Sequence, residues 1–364
     1  MRKKTLIAMS GGVDSSVAAY LMLENGWGCA AATMKLFDSP DGQFAGGKTC
    51  CSLSDVNDAR DVSVRLGIPH YVLNFKNEFE SLVIERFIRV YEEGGTPNPC
   101  IDCNRFIKFK MLLLRAKQIE HDVLTTGHYA RIEKTGGRFL LKKGIDVKKD
   151  QSYVLYAMTQ EQLAQTHFPL GSLTKDEVRA VALEQGFINA KKRESQDVCF
   201  VPDGDYGAFM ERRRGAPYAE GAIIDKTGRR LGRHGGYIRC TIGQRRGLGI
   251  SGGSEPLYVT AKDPVENTVT LGPRGELYCN TVKASGINLI AADSLEKPVK
   301  LMVKTRYLQK EAPATVFQED MNTIRINFDE PQMAVAPGQA AVFYDGDVVV
   351  GGAEVTASLK ERYA

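Results

Sequence analysis

The chain has 364 residues, 43% of them hydrophobic and 25% charged, with a formal net charge of +4. That length leaves room for two or three domains with a sizeable core, and the balance is ordinary for a globular protein. No apolar stretch approaches the roughly 20 residues that a bilayer-spanning helix needs, and the basic start Met1-Arg2-Lys3-Lys4 precedes an apolar run too short for a secretory signal; a cytoplasmic protein with reduced thiols and no membrane partner is expected.

The first predicted element is a strand at 4–9, containing Leu6-Ile7-Ala8-Met9, which runs directly into Ser10-Gly11-Gly12-Val13-Asp14-Ser15-Ser16. A strand, a glycine-bearing turn and a helix from the serines place N–H groups where they can face a phosphate. Gly11 and Gly12 are expected to supply close backbone approach and positive φ. The Gly-Lys-Ser/Thr ending of P-loop kinases and GTPases is absent. The segment resembles instead the pyrophosphate (PP) loop of the ATP-pyrophosphatase superfamily, whose members split ATP between the α- and β-phosphates. Asp14 is open to two readings, a metal contact or a helix cap.

Further strands are predicted at 28–36, 70–75 and 122–126, and helices at 15–24, 54–66, 77–92 and 104–120. This alternation implies an α/β fold with a doubly wound parallel sheet. Ligands of such sheets bind at the carboxyl ends of the strands, where the glycine loop sits. Helices are also predicted at 160–167 and 174–186.

From about 205 the composition shifts toward Gly, Arg and short apolar runs, with turns at Lys226-Thr227-Gly228 and Ser251-Gly252-Gly253. Residues 212–246 hold ten Arg or Lys against two acidic residues. With few carboxylates nearby in sequence, that stretch is expected to face a polyanion. Strands are predicted at 299–305, 314–318, 323–328, 339–344 and 348–355, with a hairpin signal at Asp345-Gly346, so the C-terminal part reads as a small β-barrel. The expected domains are 1–204, catalytic and nucleotide-binding; 205–280, a central α+β domain; and 281–364, the barrel. No internal repeat or low-complexity tract is present.

Of eight cysteines, two segments stand out. Thr96-Pro97-Asn98-Pro99-Cys100-Ile101-Asp102-Cys103 precedes a predicted helix, so Cys103 is expected near a helix N-terminus that favours thiolate. Cys199, in Ser195-Gln196-Asp197-Val198-Cys199-Phe200, follows the basic Lys191-Lys192-Arg193, which favours thiolate again. Two activated thiols and an ATP-splitting loop point to sulfur transfer, one thiol carrying a persulfide and the other releasing the sulfur as a disulfide forms. Other readings stay open. Cys100-x-x-Cys103 is half of a zinc site, with no second pair to complete it and with Cys50-Cys51 poorly spaced. Cys100, Cys103 and Cys199 fit three corners of an iron–sulfur cluster. Cys29, Cys240 and Cys279 read as buried small hydrophobes in strands.

With these residues in hand the whole chain resembles the bacterial tRNA-specific 2-thiouridylases (the MnmA family of the PP-loop superfamily). Matching stretches are Thr126-Gly127-His128-Tyr129, Lys149-Asp150-Gln151-Ser152-Tyr153, Thr241-Ile242-Gly243-Gln244-Arg245-Arg246-Gly247-Leu248-Gly249, Val303-Lys304-Thr305-Arg306-Tyr307 and Pro337-Gly338-Gln339-Ala340-Ala341-Val342-Phe343-Tyr344. The resemblance implies ATP, with Mg²⁺, bound by Ala8, Met9, Ser10, Gly11, Gly12, Val13, Asp14, Ser15, Met34 and Gly127. It implies a persulfide on Cys199, with Cys103 as its partner in a redox-active disulfide. It implies tRNA contacts from Lys149, Asp150, Gln151, Arg306 and Tyr307, and Asn98 and Pro99 against the wobble uridine of an anticodon stem-loop. The implied sulfur donor is a cysteine desulfurase or a relay protein. No protein-bound metal is expected. The chain departs from many relatives in carrying Cys100 where they have Asp. Rival readings are an iron–sulfur-dependent tRNA thiolase of the same superfamily or another AMP-forming ligase with this loop. His128 reads equally as a nucleotide-site group or a core histidine, and Met34 and Tyr307 would be core residues but for the matches around them.

Overall fold

A computed structural model describes residues 3–37, 53–192, 198–250 and 255–359. Cys50-Cys51, Arg193, Ser195-Gln196-Asp197 and the turn at 251–253 lie outside the described residues. The chain divides into two units, the first made of residues 1–84, 99–204 and 346–350, the second of 85–98, 205–345 and 351–364. No helix among the described residues is long and apolar enough to cross a membrane.

The first unit is built on a five-stranded sheet. Its strands are β1 (Lys4–Ala8), β2 (Gly28–Lys35), β3 (His70–Asn74), β4 (Val123–Thr126) and, beyond a hairpin of β5 (Ala130–Thr135) and β6 (Arg138–Lys143), β7 (Thr166–His167). The order is β3-β2-β1-β4-β7, with every neighbouring pair parallel. Consecutive residues Leu6 and Ile7, and all of Ala30, Ala31 and Ala32, are buried, so the middle of the sheet is covered on both faces. One face carries α1 (Val13–Glu24), α2 (Leu53–Arg65) and α3 (Lys175–Glu184): Val13, Val17, Ala59, Val62, Val178 and Ala182 share a core with Ile7 and Ala31. The doubly wound α/β expectation holds.

Two elements differ from expectation here. The segment predicted as one helix over 160–167 ends at Ala164 and gives way to β7, because Thr166 is drawn into register opposite Leu124 at the sheet edge. The helix predicted from 104 already begins at Pro99. Pro97 stays outside it, but Pro99 sits at the first helical position, where a missing N–H costs nothing and the fixed φ is pre-set. Residues Cys103–Leu112 continue with wider π-type turns, and Leu113–Gln118 closes the run.

In the second unit, α4 (Tyr206–Arg214) precedes β8 (Gly221–Asp225), β9 (Arg230–His234), β10 (Tyr258–Asp263) and β11 (Thr268–Gly272). These strands order as β10-β11-β8-β9 over a small core of Ile223, Cys240, Leu248, Val259, Val269 and Leu271, the α+β content expected for 205–280. Then come β12 (Tyr278–Leu289), β13 (Val299–Lys304), β14 (Ala312–Gln318), β15 (Thr323–Met333), β16 (Ala340–Asp345) and β17 (Val348–Leu359). They order β12-β15-β14-β13-β16-β17, and β12 pairs with β17 from Gly351 onward, which closes a six-stranded barrel. Closure leaves no edge strand to slip or aggregate. Cys279 is buried in β12 as expected. Cys240 is buried too, but after a short 3₁₀ turn rather than in a strand.

Candidate active site

The glycine loop leaves the carboxyl end of β1. Gly11 stands at φ +72°, and a Cβ on it would meet the Asp55 carbonyl oxygen at 2.3 Å. Only glycine fits there. Gly12, expected to share the positive φ, is extended (φ −87°, ψ 157°) and forms the N-cap of α1 without a side-chain hydrogen bond. The first-turn N–H groups of α1 are therefore left without a side-chain cap, which is what an anion site requires. Ser15 accepts from the Ser10 N–H at 3.3 Å and donates to the Gly12 carbonyl at 3.0 Å, so its hydroxyl ties the loop to the helix it starts. Gly127, at the end of β4, lies against the loop. A Cβ there would stand 2.8 Å from the Ser15 nitrogen and 3.1 Å from Asp14 Cβ. Met34, half-buried at the end of β2, pairs in register with Leu73.

Asp14 does not cap α1, because Gly12 holds the N-cap position. Its Oδ1 accepts from Lys175 Nζ at 2.7 Å and from the Tyr129 hydroxyl at 2.8 Å, and its Oδ2 accepts from Lys175 Nζ at 2.8 Å. Among the described residues no cluster of three or more His, Cys, Asp or Glu is placed to hold an ion.

Several residues on the loop carry no sequence signal. Asn189, 2% exposed, donates from Nδ2 to the Gly11 carbonyl at 3.0 Å and to Ser16 Oγ at 2.9 Å. Lys192 Nζ donates to Asp55 Oδ1 at 2.6 Å and to Asp58. Burial alone would lower the Lys192 ammonium, but the Asp55 and Asp58 carboxylates outweigh it and hold its pKa above the usual lysine value. The Lys192 charge is committed to two aspartates beside Gly11.

Both reaction-candidate thiols belong to this first unit and stand reduced. Cys103 lies a full turn inside the helix that begins at Pro99, so the dipole of that N-terminus bears on the exposed Cys100 more than on Cys103. Phe200, next to Cys199, packs edge-on against Phe79 with ring centroids 5.7 Å apart. Phe79 leads into Glu80–Ile84, which packs against Pro99–Asp102 and against the stretch starting at Cys103. The Cys199 segment thus packs, through Phe200, on the element that leads into the helix layer carrying Cys103. Asn104 in that layer is buried and donates to the Val154 carbonyl at 3.0 Å.

His128 takes the core alternative. It is buried between Phe109 and Phe168, with Thr126 Oγ1 2.6 Å from its Nδ1. Burial, with Lys108 adding to it, drives its pKa well below the ordinary value. In the 149–151 loop, Asp150 accepts from the backbone N–H groups of Gly144 and Ser152, and Gln151 accepts from Tyr129 N–H at 3.0 Å. Those two side chains shape the loop that carries Lys149. In the second unit, Arg306 donates to the Ile242 and Ala334 carbonyls, which bind two loops together beside Tyr307. Asn98 ends the 85–98 segment of the second unit, and Pro99 opens the next segment of the first.

The basic stretch is partly neutralised, against expectation. Arg239 pairs with Asp205 and Glu211, Arg229 with Asp225, Arg233 with Glu220 and Lys226 with Glu276. Three of these carboxylates, Asp205, Glu211 and Glu276, lie outside the 212–246 window, which is why the linear charge sum overstates the field.

A PP-type loop at the carboxyl edge of a five-stranded parallel sheet, capped by Gly12 and braced by Gly127, defines a HUP-class nucleotide domain. Residues 3–203 match the family model described as the tRNA methyl transferase HUP domain, 208–273 the tRNA methyl transferase PRC-barrel domain, and 279–355 the aminomethyltransferase beta-barrel domain. Relatives named tRNA-specific 2-thiouridylase MnmA align end to end. That of Clostridioides difficile is 48% identical over 362 residues (99% of each chain), that of Acetivibrio thermocellus 48% over 356 residues (96% and 98%), and that of Geotalea uraniireducens 47% over 367 residues (100% and 97%). The chain belongs to the tRNA-specific 2-thiouridylase MnmA family.

Proposed function

We propose that this protein installs sulfur at C2 of the wobble uridine of tRNA, using ATP to activate the C2 oxygen and a cysteine persulfide as the sulfur carrier. The observation that carries the reading is a PP-type loop and two thiol segments in one unit of a chain nearly half identical to named 2-thiouridylases over its whole length. The family label that speaks of methyl transfer offers no reason for either feature.

The uridine C2 carbonyl is a poor electrophile with a poor leaving group. Its oxygen attacks the ATP α-phosphorus and expels diphosphate, and the adenylated oxygen can then depart as AMP. The loop's part is positioning and charge: the N–H groups of Val13 and its neighbours face the phosphates, Gly11 and Gly127 keep the backbones close, and Met34 borders the nucleotide. Mg²⁺ is read as the ion that accompanies the triphosphate; the described residues offer it no ligand cluster, and no step is assigned to it.

The terminal sulfur of a Cys199 persulfide attacks C2 and AMP leaves. The Cys103 thiolate attacks the inner Cys199 sulfur, forming the Cys103–Cys199 disulfide and leaving the outer sulfur on C2. In the alternative order, Cys103 first frees hydrosulfide, which then attacks. Either way two electrons from an external thiol reductant restore both cysteines, and a desulfurase or relay protein reloads Cys199. Asn98 and Pro99 flank a base splayed from the anticodon loop. Lys149, on the loop shaped by Asp150 and Gln151, and Arg306 with Tyr307 hold the RNA. A tRNA substrate places the protein in the cytoplasm.

The test is mass spectrometry of nucleosides from tRNA incubated with the protein, ATP and a sulfur donor, with AMP and diphosphate assayed alongside. We expect 2-thiouridine from the wild type, and none from Cys103→Ala or Cys199→Ala. Product from both variants would defeat the cysteine assignment. A methylated nucleoside, or product that depends on iron, would replace the reading.

A further inference from the structure

We propose that Lys175 is the counter-ion that makes the Asp14 carboxylate compatible with a bound triphosphate, and is therefore a positioning residue for ATP. This rests on the ATP-using reading of the loop.

Lys175 occupies a place that local rules disfavour. It is the first residue of α3, where the helix dipole opposes a cation. It is only 7% exposed, so a long side chain gives up its rotamer freedom. Its position is nonetheless fixed: Thr174 caps the helix and the Lys175 N–H donates to Asp146 Oδ2 at 3.0 Å. From there Nζ reaches both oxygens of Asp14, at 2.7 and 2.8 Å. Local costs of this kind persist where a site demands them.

The demand is legible at the other end of the pair. Asp14 is the second residue of α1, in the turn whose N–H groups form the anion site. A lone carboxylate there suits the helix dipole but competes with a triphosphate for the same positive potential. The Tyr129 hydroxyl, donating to Oδ1 at 2.8 Å, holds the carboxylate on the same side as Lys175. Paired with Lys175, the side chain brings no net charge, and the N–H groups of the turn remain for phosphate.

A purely structural pair would also hold α1 to α3, and the two roles differ in sign. If the pair is only structural, removing either partner loosens the loop and weakens ATP binding in step with stability. If Lys175 neutralises Asp14 for ATP, the two single variants diverge. ATP affinity of the full-length protein, measured by titration calorimetry without tRNA, separates them. Lys175→Met should weaken ATP at least about tenfold, whereas Asp14→Asn, which leaves a cation beside the phosphates, should hold or tighten it. The Asp14→Asn/Lys175→Met double variant should return to within about threefold of wild type, and Lys175→Arg should stay near it. Parallel weakening in both single variants, tracking their melting temperatures, overturns the proposal and leaves the ATP reading intact. A wild-type protein that binds no ATP overturns both. If circular dichroism shows Lys175→Met unfolded, Asp14→Asn decides alone: held or tighter binding supports the proposal, and a loss beyond about threefold overturns it.

Discussion

At Gly11 two constraints coincide, a left-handed φ of +72° and a backbone oxygen of Asp55 2.3 Å from where a Cβ would stand. An alanine there carries roughly 1–2 kcal/mol for the conformation alone, and the close contact must push the backbone at the buried Asp55 away as well. Gly11→Ala is expected to lower the thermal midpoint and to raise the KM for ATP more than it lowers kcat; unchanged values of both would show the loop to be tolerant. The close approaches at Gly11 and Gly127 were legible in the sequence because each glycine carries its signal locally or in a matched stretch. Asn189, Lys175 and Lys192 were not. Their partners lie between 134 and 178 residues away along the chain, and nothing in an isolated Asn or Lys announces such a contact. Asp14 shows the converse: its motif is plain, yet its ion pair is with a lysine that no motif includes.

At the scale of elements, strands of the barrel announce themselves where burial alternates. β13 and β14 bury every second residue along much of their length, and β16, whose Phe343 pairs in register with Val303 of β13, is buried almost throughout. Phe343 is fully buried. Phe343→Ala should therefore cost about 3–5 kcal/mol, since the closed barrel cannot collapse into the gap, seen as a lowered midpoint in the urea transition of the second unit. A loss below about 1 kcal/mol would mean that the barrel interior repacks. β12 escapes a hydrophobic pattern because its inward positions include Cys279, Thr281 and Ala284, which fit a crowded barrel wall but carry little apolar signal. The β5–β6 hairpin escapes for a related reason: Arg131, Glu133 and Lys142 give it a polar face. The helix at Pro99 began earlier than its apolar period suggests because proline is an obstacle inside a helix and an asset at its first position.

Across the whole molecule, burial is the leading cause that shifts histidine titration. His70, His128, His167 and His234 are all held below the ordinary value first by burial; Arg60, Lys108 and Lys3 add to it for the first three, while a hydrogen bond to the Asn267 carbonyl opposes it for His234. A histidine kept neutral in the fold but free to protonate on unfolding contributes stability that is complete above about pH 6.5 and is lost as the pH falls below it. The unfolded chain then binds more protons than the native one. The thermal midpoint should fall steadily from pH 6.5 to 5, before the carboxylates Asp225, Asp320 and Asp347, lowered chiefly by hydrogen bonds and ion pairs that outweigh burial, begin to protonate. His128 is the one of the four held well below the ordinary value, and its share of the slope approaches about 1.4 kcal/mol per pH unit. His128→Gln keeps a polar partner for Thr126 without a group that titrates in this range. It should start from a lower midpoint at pH 8 yet lose less on acidification than the wild type. An unchanged slope in that variant would mean that His128 can take up its proton without unfolding, and would assign the acid sensitivity to the other three histidines.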